Sequence, residues 1–264
     1  MQNFTYHRPG SVEEAVQALS AASDGTLMGG GMTLLPTLKQ RLASPSDVVD
    51  LGGVAGLSGI SEDGGKVVVG AMTTHAEVAS NAIVTAKIPA LAALAGAIGD
   101  PAVRNRGTIG GSIANNDPAA DYPAALVGLG ATVRTNKREI AADDFFTGLF
   151  ETALAEDEVI TAVAFPVPER AGYAKFPNPA SRYAIVGVMA STGPAGTRVA
   201  VTGAGACVFR ASAMESALGG GFSADALSGA SVSADDLNSD IHASAEYRAH
   251  LVGVMARRAV AAAG

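Results

Sequence analysis

"TIGGSIANNDPAADYPAAL", residues 108–126, is the most informative stretch of this sequence. Two adjacent glycines are followed by two asparagines and two aspartates, and the stretch contains no lysine or arginine. Because glycine has no Cβ, such a turn lets backbone N–H groups come close to an anion. Carboxylates are unfavourable beside a phosphate unless they accept hydrogen bonds from hydroxyls of the same ligand, as on a ribose or ribityl chain. The pattern therefore favours a ligand that carries both kinds of group.

A second glycine cluster, Gly29–Gly31, lies in "MGGGMT". Neither cluster matches the dinucleotide pattern G-x-G-x-x-G or the phosphate loop G-x-x-x-x-G-K-[ST]. Two such turns that face each other would hold a pyrophosphate through backbone N–H groups alone. The alternative, tight turns in a β-rich fold, stays open on the pattern. For Asp117 the alternative is a cap on the helix predicted to begin near Pro123.

Composition limits the classes of function. The chain has 264 residues, 48% of them apolar, a formal net charge of -7 and no tryptophan. The negative charge argues against nucleic acid and anionic membranes as partners. The first ten residues lack the apolar run of a signal peptide, and the apolar stretch at residues 88–99 is too short to span a bilayer. We therefore expect a cytoplasmic protein without a membrane span.

The reactive side chains do not form a catalytic or metal-binding pattern. A single cysteine, Cys207, excludes a disulfide within the chain and an iron–sulfur cluster held by its own thiolates. The alternation of "GAGACVFR" predicts that Cys207 is a buried strand residue. The four histidines show no ligand spacing, and no residue pair resembles a nucleophile with its base. We predict no metal site and no catalytic residue.

The order of strands, helices and hairpins predicts an α+β fold and not a doubly wound parallel sheet. Ser11 and either Thr73 or Thr74 are predicted helix caps, and a long helix is predicted over 245–262. The proline-rich run at 166–179 is predicted to be weakly structured and to mark a domain boundary. It divides the chain into domains 1–170 and 171–264.

Four stretches together carry a family resemblance. They are "GGGMTLLPTLKQRLASPSDVVDL" (29–51), "IGDPAVRNRGTIGGSIANNDPAADYPAAL" (98–126), "YAKFPNPASRYAIVGVMAS" (173–191) and "HASAEYRAHLVGVMARRAV" (242–260). They resemble the FAD-binding, or medium, subunit of molybdenum hydroxylases, the family of aerobic carbon monoxide dehydrogenase and xanthine dehydrogenase. The resemblance covers essentially the whole chain in the same order.

The resemblance implies a two-lobed FAD-binding domain of the PCMH/vanillyl-alcohol-oxidase type and a small C-terminal domain of three antiparallel strands and helices. It implies two turns that hold the FAD pyrophosphate, hydroxyl contacts from Asn115 and Asp121, an apolar contact from Ile160, and Lys175 and Tyr183 close to the flavin ring. Gly29 stands where alanine is usual and Met32 where a polar residue is frequent. The residues that it implies for FAD are Gly29, Gly30, Gly31, Met32, Thr33, Thr108, Gly110, Gly111, Ser112, Asn115, Asp121, Ile160, Lys175 and Tyr183.

The resemblance also implies a function. The chain would be an FAD-dependent oxidoreductase subunit in a heterotrimer with a molybdenum-cofactor large subunit and a [2Fe-2S] small subunit. The heterotrimer itself is expected to dimerise. Electrons would reach FAD from the clusters and leave to a quinone, NAD or dioxygen. Two alternatives stay open: a free-standing FAD-dependent oxidase or dehydrogenase, and a flavin-free interaction protein with the same fold.

Overall fold

The first lobe is a small parallel sheet covered by one helix. The structure, a computed structural model, describes residues 1–263. This lobe consists of β1 (Thr5–His7), α1 (Val12–Ala21), β2 (Gly25–Met28), α2 (Leu34–Lys39), β3 (Asp47–Asp50) and a 3-10 turn (Leu51–Gly53). Its strand order is β1-β3-β2, with both pairs parallel. Ser11 caps α1 as predicted, because its hydroxyl accepts from the N–H of Glu14, whose carboxylate accepts from the N–H of Gly10.

The second lobe has an antiparallel sheet of order β4-β5-β10-β6-β7 and a group of helices. Its elements are β4 (Ile60–Asp63), β5 (Lys66–Gly70), α3 (His75–Ser80), α4 (Ala82–Lys87), α5 (Pro89–Gly96), α6 (Pro101–Arg104), α7 (Ile109–Asn115), α8 (Tyr122–Leu129), β6 (Thr132–Thr135), β7 (Glu139–Ala141), α9 (Ala142–Phe145), β8 (Phe146–Gly148), β9 (Glu151–Thr152) and β10 (Ile160–Pro166). Thr74 caps α3 as predicted. Asn81 then ends α3 and caps α4, and Pro89 begins α5, so residues 75–96 form three consecutive helices.

The C-terminal domain packs a long helix against an antiparallel sheet. It consists of β11 (Arg170–Pro177), β12 (Ala184–Thr192), β13 (Arg198–Thr202), β14 (Phe209–Arg210), α10 (Ser212–Leu218), a 3-10 turn (Ala224–Leu227) and α11 (Ala245–Ala262). The strands pair in the order of the chain. A Cβ on Gly172 would lie 2.0 Å from the carbonyl oxygen of Ala259, so glycine is what allows α11 to lie directly on β11. The α+β fold class and the predicted long helix are confirmed.

Two sequence predictions in this domain are wrong. The proline-rich run is not weakly structured, because residues 170–177 form β11, which makes the sheet four-stranded instead of three-stranded. Pro166 and Pro177 stand at strand ends, where a missing N–H removes little from the ladder. Cys207 is a half-buried residue in a bend that precedes β14, because the strand predicted there is limited to residues 209–210.

Helix α8 joins the second lobe to the C-terminal domain. All eight of its residues are buried, which is typical of a helix that is apolar on every side. A Cβ on Gly128 would lie 2.6 Å from Cγ of Met189 in β12, so glycine permits this close approach. The hydroxyl of Ser191 donates to the carbonyl of Gly128 at 2.6 Å. The turn just before Asp121 is held to the C-terminal domain as well, because the N–H groups of Ala184 and Gly203 donate to the carbonyls of Ala119 and Pro118.

None of the helices within residues 1–263 has the length and apolar character required to cross a membrane.

Candidate cofactor site

A cavity of about 660 Å³ lies between the two lobes and the C-terminal domain. This volume falls within the range of pockets that enclose small molecules and cofactors. Thirteen of the fourteen residues predicted to hold FAD line the cavity, although they come from four separate segments of the chain. These thirteen are Gly29, Gly30, Gly31, Met32, Thr33, Thr108, Gly110, Gly111, Ser112, Asn115, Asp121, Ile160 and Tyr183. The exception is Lys175.

The first glycine loop, residues 29–34, connects β2 to α2 and turns sharply at Gly31. Gly31 has φ +73°, a conformation that favours glycine. A Cβ on Gly30 would lie 1.5 Å from the carbonyl oxygen of Arg106, so the loop passes directly over the segment that leads to α7. Within residues 1–263, no protein acceptor receives a hydrogen bond from the N–H groups of this loop. Because backbone donors need a partner, these N–H groups are available to an anion in the cavity.

The second glycine loop, residues 108–112, begins α7 and has its N–H groups bonded within the protein. The N–H of Gly110 donates to the carbonyl of Ala71 at 2.8 Å. The N–H of Gly111 donates to the hydroxyl of Thr108 at 3.2 Å, and that of Ser112 donates to the Thr108 carbonyl at 3.0 Å. Thr108 therefore acts as the N-cap of α7. This loop presents side chains to a ligand and keeps its backbone donors for the fold.

The two glycine loops touch each other. A Cβ on Gly29 would lie 2.9 Å from the hydroxyl oxygen of Thr108 and 3.8 Å from Cα of Gly111. An isolated β-bridge between Thr74 and Thr108 ties the second loop to the start of α3. Only residues without a Cβ allow the two backbones to form one continuous cavity wall. The sequence prediction that the two turns face each other agrees with this geometry.

Polar side chains follow the second loop along the cavity wall. Neither the hydroxyl of Ser112 nor the side chain of Asn115 forms a hydrogen bond with another group in the described part of the chain. Asp117 does not cap α8, so the alternative that it is a helix cap is wrong. Its carboxylate accepts from the N–H of Ala119 at 2.9 Å and closes the turn that leads to α8.

Asp121 differs from these residues because its carboxylate already has protein partners. Oδ1 accepts from the hydroxyl of Tyr173 at 2.5 Å and lies 3.0 Å from Nζ of Lys175, which is 3.2 Å from Oδ2. Burial raises the pKa of Asp121, and the Lys175 ammonium and Tyr173 hydroxyl oppose this increase. A carboxylate has about four lone-pair positions, so Asp121 still has room to accept from a ligand hydroxyl. Lys175 itself lines a smaller neighbouring pocket and not the cavity.

The C-terminal domain contributes Tyr183 to the rim of the cavity. Tyr183 is 44% exposed and follows Arg182, which has φ +64°. An arginine in this region is strained, and it is held because its guanidinium donates to the carbonyl of Gly99 and its N–H to that of Asn178. Ile160, the first residue of β10, is 6% exposed and forms part of the apolar wall.

His75 is a cavity residue that the sequence prediction missed. It is 5% exposed, and its Nδ1 has no hydrogen-bond partner within residues 1–263. Burial, assisted by the charge of Arg104, lowers the pKa of His75 to about 4, so the imidazole is neutral at pH 7. A Cβ on Gly107 would lie 2.4 Å from its Nε2. Its place directly after the predicted cap Thr74 gave no signal, because only the Thr74–Thr108 bridge brings it to the cavity.

Comparison with known proteins identifies the family. Residues 2–168 match the model of the FAD binding domain in molybdopterin dehydrogenase, and residues 171–263 match that of the CO dehydrogenase flavoprotein C-terminal domain. The chain belongs to the family of FAD-binding subunits of molybdenum hydroxylases. FAD is therefore its cofactor, and the chain is a flavoprotein subunit of an oxidoreductase.

Relatives in this family are similar along nearly their whole length. The nicotine 6-hydroxylase medium subunit of Paenarthrobacter nicotinovorans is 39% identical over 273 residues, which is 98% of this chain and 96% of the relative. The carbon monoxide dehydrogenase medium chain of Hydrogenophaga pseudoflava is 36% identical over 277 residues, with the same coverage. Both relatives are thus named as medium chains of an enzyme.

Solved structures of molybdenum hydroxylases have the same fold. Carbon monoxide dehydrogenase from Hydrogenophaga pseudoflava, in a form lacking the Mo-pyranopterin moiety of its molybdenum cofactor, matches with a TM-score of 0.89 and 36% identity. That match covers 99% of this chain and 97% of the other. Reconstituted CO dehydrogenase from Oligotropha carboxidovorans matches with a TM-score of 0.90 and 33% identity, with the same coverage. The predicted two-lobed FAD-binding domain followed by a C-terminal domain is confirmed.

Proposed function

We propose that this chain transfers electrons through FAD within a heterotrimeric molybdenum hydroxylase. In this proposal, a [2Fe-2S] small subunit delivers electrons to FAD, and an external acceptor such as a quinone, NAD or dioxygen removes them. A molybdenum-cofactor large subunit would oxidise the substrate. The observation that carries the proposal is the cavity wall, in which free backbone N–H groups lie next to uncommitted hydroxyl and amide side chains. Such a wall fits a ligand with phosphates and hydroxyls together.

The two glycine loops would have different tasks toward FAD. The N–H groups of residues 30–33 would bind the pyrophosphate, because they have no other acceptor in the described chain. Thr108, Gly110 and Gly111 would shape the opposite side, where the absence of a Cβ on Gly111 leaves space. Ser112 would contribute its hydroxyl. The side chain of Met32 would make no polar contact.

The remaining residues would orient the rest of the cofactor. Asn115 and Asp121 would bind hydroxyls of the ribityl chain, Ile160 would pack against the ring system, and Tyr183 would cover it from the rim. Bound FAD supplies the electron-accepting centre, and the protein contributes its position and surroundings. This division of labour is consistent with the predicted lack of a catalytic side chain.

FAD titration of the full chain tests the proposal. Protein freed of cofactor should regain the visible absorbance of oxidised flavin and should quench flavin fluorescence with a stoichiometry of one. Co-purification with a molybdenum subunit and an iron–sulfur subunit is expected. A yellow chain that purifies alone and oxidises a substrate by itself would favour the free-standing oxidase. A chain that cannot be reconstituted with FAD would favour the interaction protein and contradict the proposal.

Three further expectations remain proposals. We place the domain boundary between residues 170 and 171, which is supported by family models that end at 168 and begin at 171. The proposed second domain includes Gly264, which lies outside the described residues. Dimerisation of the heterotrimer and a cytoplasmic location stay predictions from the sequence.

A further inference from the structure

A buried polar network connects β11 of the C-terminal domain to the cavity. Tyr173 and Lys175 are two residues apart in β11, so their side chains leave the same face of the sheet. Both donate to the carboxylate of Asp121, and the Lys175 and Asp121 side chains are 6% and 4% exposed. Asp121 lines the cavity, whereas Tyr173 and Lys175 line the smaller pocket behind it. The network therefore crosses the boundary between the two parts of the chain.

The Lys175 ammonium has all of its donors occupied by the protein. Nζ donates to the carbonyl of Ala97 at 2.8 Å, to the carbonyl of Arg182 at 3.0 Å and to Asp121. An ammonium has three N–H donors, so this set of acceptors satisfies it. Lys175 thus ties together the end of α5, the start of α8 and the segment just before Tyr183.

The Tyr173 hydroxyl is committed to Asp121 in the same way. Burial and the charge of Asp121 raise the pKa of Tyr173, so its hydroxyl stays protonated and donates. A Cβ on Gly187 would lie 2.5 Å from the Tyr173 hydroxyl oxygen, so the glycine in β12 leaves the room that this hydroxyl needs. Charge-assisted bonds of this kind are short and strong, and two donors on one rigid strand fix the plane of the carboxylate.

We propose that Tyr173 and Lys175 are positioning residues that hold Asp121 toward the cavity and thereby couple FAD binding to the packing of the C-terminal domain. The proposal rests on the proposed function, because it takes FAD as the occupant of the cavity. Tyr173 was absent from the sequence prediction, and Lys175 acts here without touching the flavin. If β11 moved away, Asp121 would lose both donors and the fixed direction of its free lone pair.

The test compares Tyr173→Phe with Tyr247→Phe in the full chain, purified with any subunits that accompany it. Tyr247 is a partly exposed tyrosine on α11, whose ring stacks on His250 and meets Phe176 edge to face, so its substitution is a matched control. One hydrogen bond to a charged group corresponds to about tenfold or more in affinity, so FAD should bind about tenfold or more weakly in Tyr173→Phe, measured by flavin fluorescence. Tyr247→Phe should bind FAD as the unsubstituted chain does.

The pH dependence of FAD affinity provides a signature that loss of packing would not produce. The hydrogen bond from Tyr173 lowers the pKa of Asp121. In Tyr173→Phe the Asp121 carboxylate should therefore become protonated at a higher pH, and FAD affinity should fall at a higher pH as the solution is acidified. Besides Tyr173, the titratable groups that face Asp121 are Lys175, Tyr122 and Tyr183. His75, a cavity residue whose pKa burial lowers to about 4, is present in both chains, so the difference between their two pH profiles reports on Asp121.

A double-mutant cycle with Asp121→Asn completes the test. If Tyr173 acts through Asp121, Tyr173→Phe should change FAD affinity less than twofold in the Asp121→Asn background. Gly187→Ala, which pushes on the Tyr173 hydroxyl, should weaken FAD binding as Tyr173→Phe does and serves if that variant folds poorly. Equal FAD affinity in Tyr173→Phe and Tyr247→Phe would overturn the positioning role. So would an equal loss of FAD affinity when Tyr173→Phe is made in the unsubstituted chain and in Asp121→Asn. Failure of the unsubstituted chain to bind FAD would instead overturn the proposed function.

Discussion

The first glycine loop keeps its N–H groups free of protein acceptors, whereas the second glycine loop bonds its N–H groups within the protein. In the first, glycine serves the turn at Gly31 and the crossing over Arg106. In the second, glycine serves close packing, because a Cβ on Gly110 would lie 2.7 Å from both Cβ and the carbonyl oxygen of Ala71. Two glycine clusters with similar sequences thus have different structural roles. One loop offers the backbone to a ligand and the other offers side chains.

The loops also differ in what supports them. The first loop rests on the second through Gly29, and on Arg106, in the segment that leads to the second loop, through Gly30. The second loop is bonded to residue 71 and rests through Gly107 on the buried imidazole of His75. We therefore expect substitutions in the second loop to act mainly on stability or on space in the cavity. Substitutions at the contact between the loops should act on both.

Gly30→Ala should have the largest effect, because it forces the first loop away from Arg106 in the segment that leads to the second loop. The added Cβ would lie 1.5 Å from a backbone oxygen, which cannot rotate away. We expect the free energy of unfolding to fall by about 3 kcal/mol or more, with loss of FAD binding, measured by urea denaturation and FAD titration. Gly96→Ala is the matched control. Its Cβ meets only Cβ of Ala79 at 3.8 Å, at an exposed position of α5, so it should stabilise by about 0.5 kcal/mol. Equal stabilities of the two variants would contradict the close contact between Gly30 and Arg106.

Acid should weaken the support of the second loop through His75. The folded chain holds the pKa of His75 at about 4, below 6.5 for the unfolded chain, so the unfolded state binds a proton first as pH falls. Stability is therefore complete above about pH 6.5 and declines between about pH 6.5 and 4, by roughly 3 kcal/mol. His75→Phe should remove this part of the dependence of the free energy of unfolding on pH. An unchanged slope in that variant would show that His75 does not carry it.

Gly110→Ala tests the packing role of the second loop on its own. Its Cβ would press against Ala71, so we expect a loss of about 2 kcal/mol in the free energy of unfolding. Because Gly110 donates inward, FAD affinity in the folded fraction should change less than in Gly30→Ala. A variant of unchanged stability and abolished FAD binding would mean that Gly110 faces the ligand instead.

Gly111→Val should have the smallest effect on stability and still remove FAD. The Cβ at this exposed position meets only the Thr108 hydroxyl at 3.0 Å, so the free energy of unfolding should change by less than about 1 kcal/mol. The branched side chain would occupy the cavity wall, so we expect FAD retention to be lost. Ser112→Ala, the matched control on the same helix, should keep FAD with reduced affinity. Full flavin content in Gly111→Val would contradict the claim that Gly111 forms part of the wall against FAD.

The helix starts follow from local sequence signals, whereas the thirteen predicted residues that line the cavity follow from the family resemblance. The caps Ser11 and Thr74 have side chains of fixed chemistry next to the helices they start, so their signals are independent of distant residues. Lys175 shows what the family resemblance could not predict. It was predicted to lie close to the flavin ring, but it lines the neighbouring pocket. Its three acceptors come from Ala97, Asp121 and Arg182, and no local pattern indicates such a combination.

The different tasks of the two loops also could not be read from the sequence. The N–H of Gly110 is bonded to Ala71, a residue 39 positions earlier, and only the folded chain brings them together. His75 reaches the cavity through a bridge of the same long-range kind. Backbone partners are set by tertiary structure, so a glycine pattern predicts a close approach without saying which group approaches.

Hydrogen exchange at single amides, in the cofactor-free and FAD-loaded chain, tests the division between the loops most directly. The account predicts that the amides of Gly110, Gly111 and Ser112 are protected in both states. It predicts that the amides of residues 30–33 exchange rapidly without FAD and become protected when FAD binds. Exchange at residues 30–33 that is indifferent to FAD, with protection appearing only at residues 110–112, would contradict it.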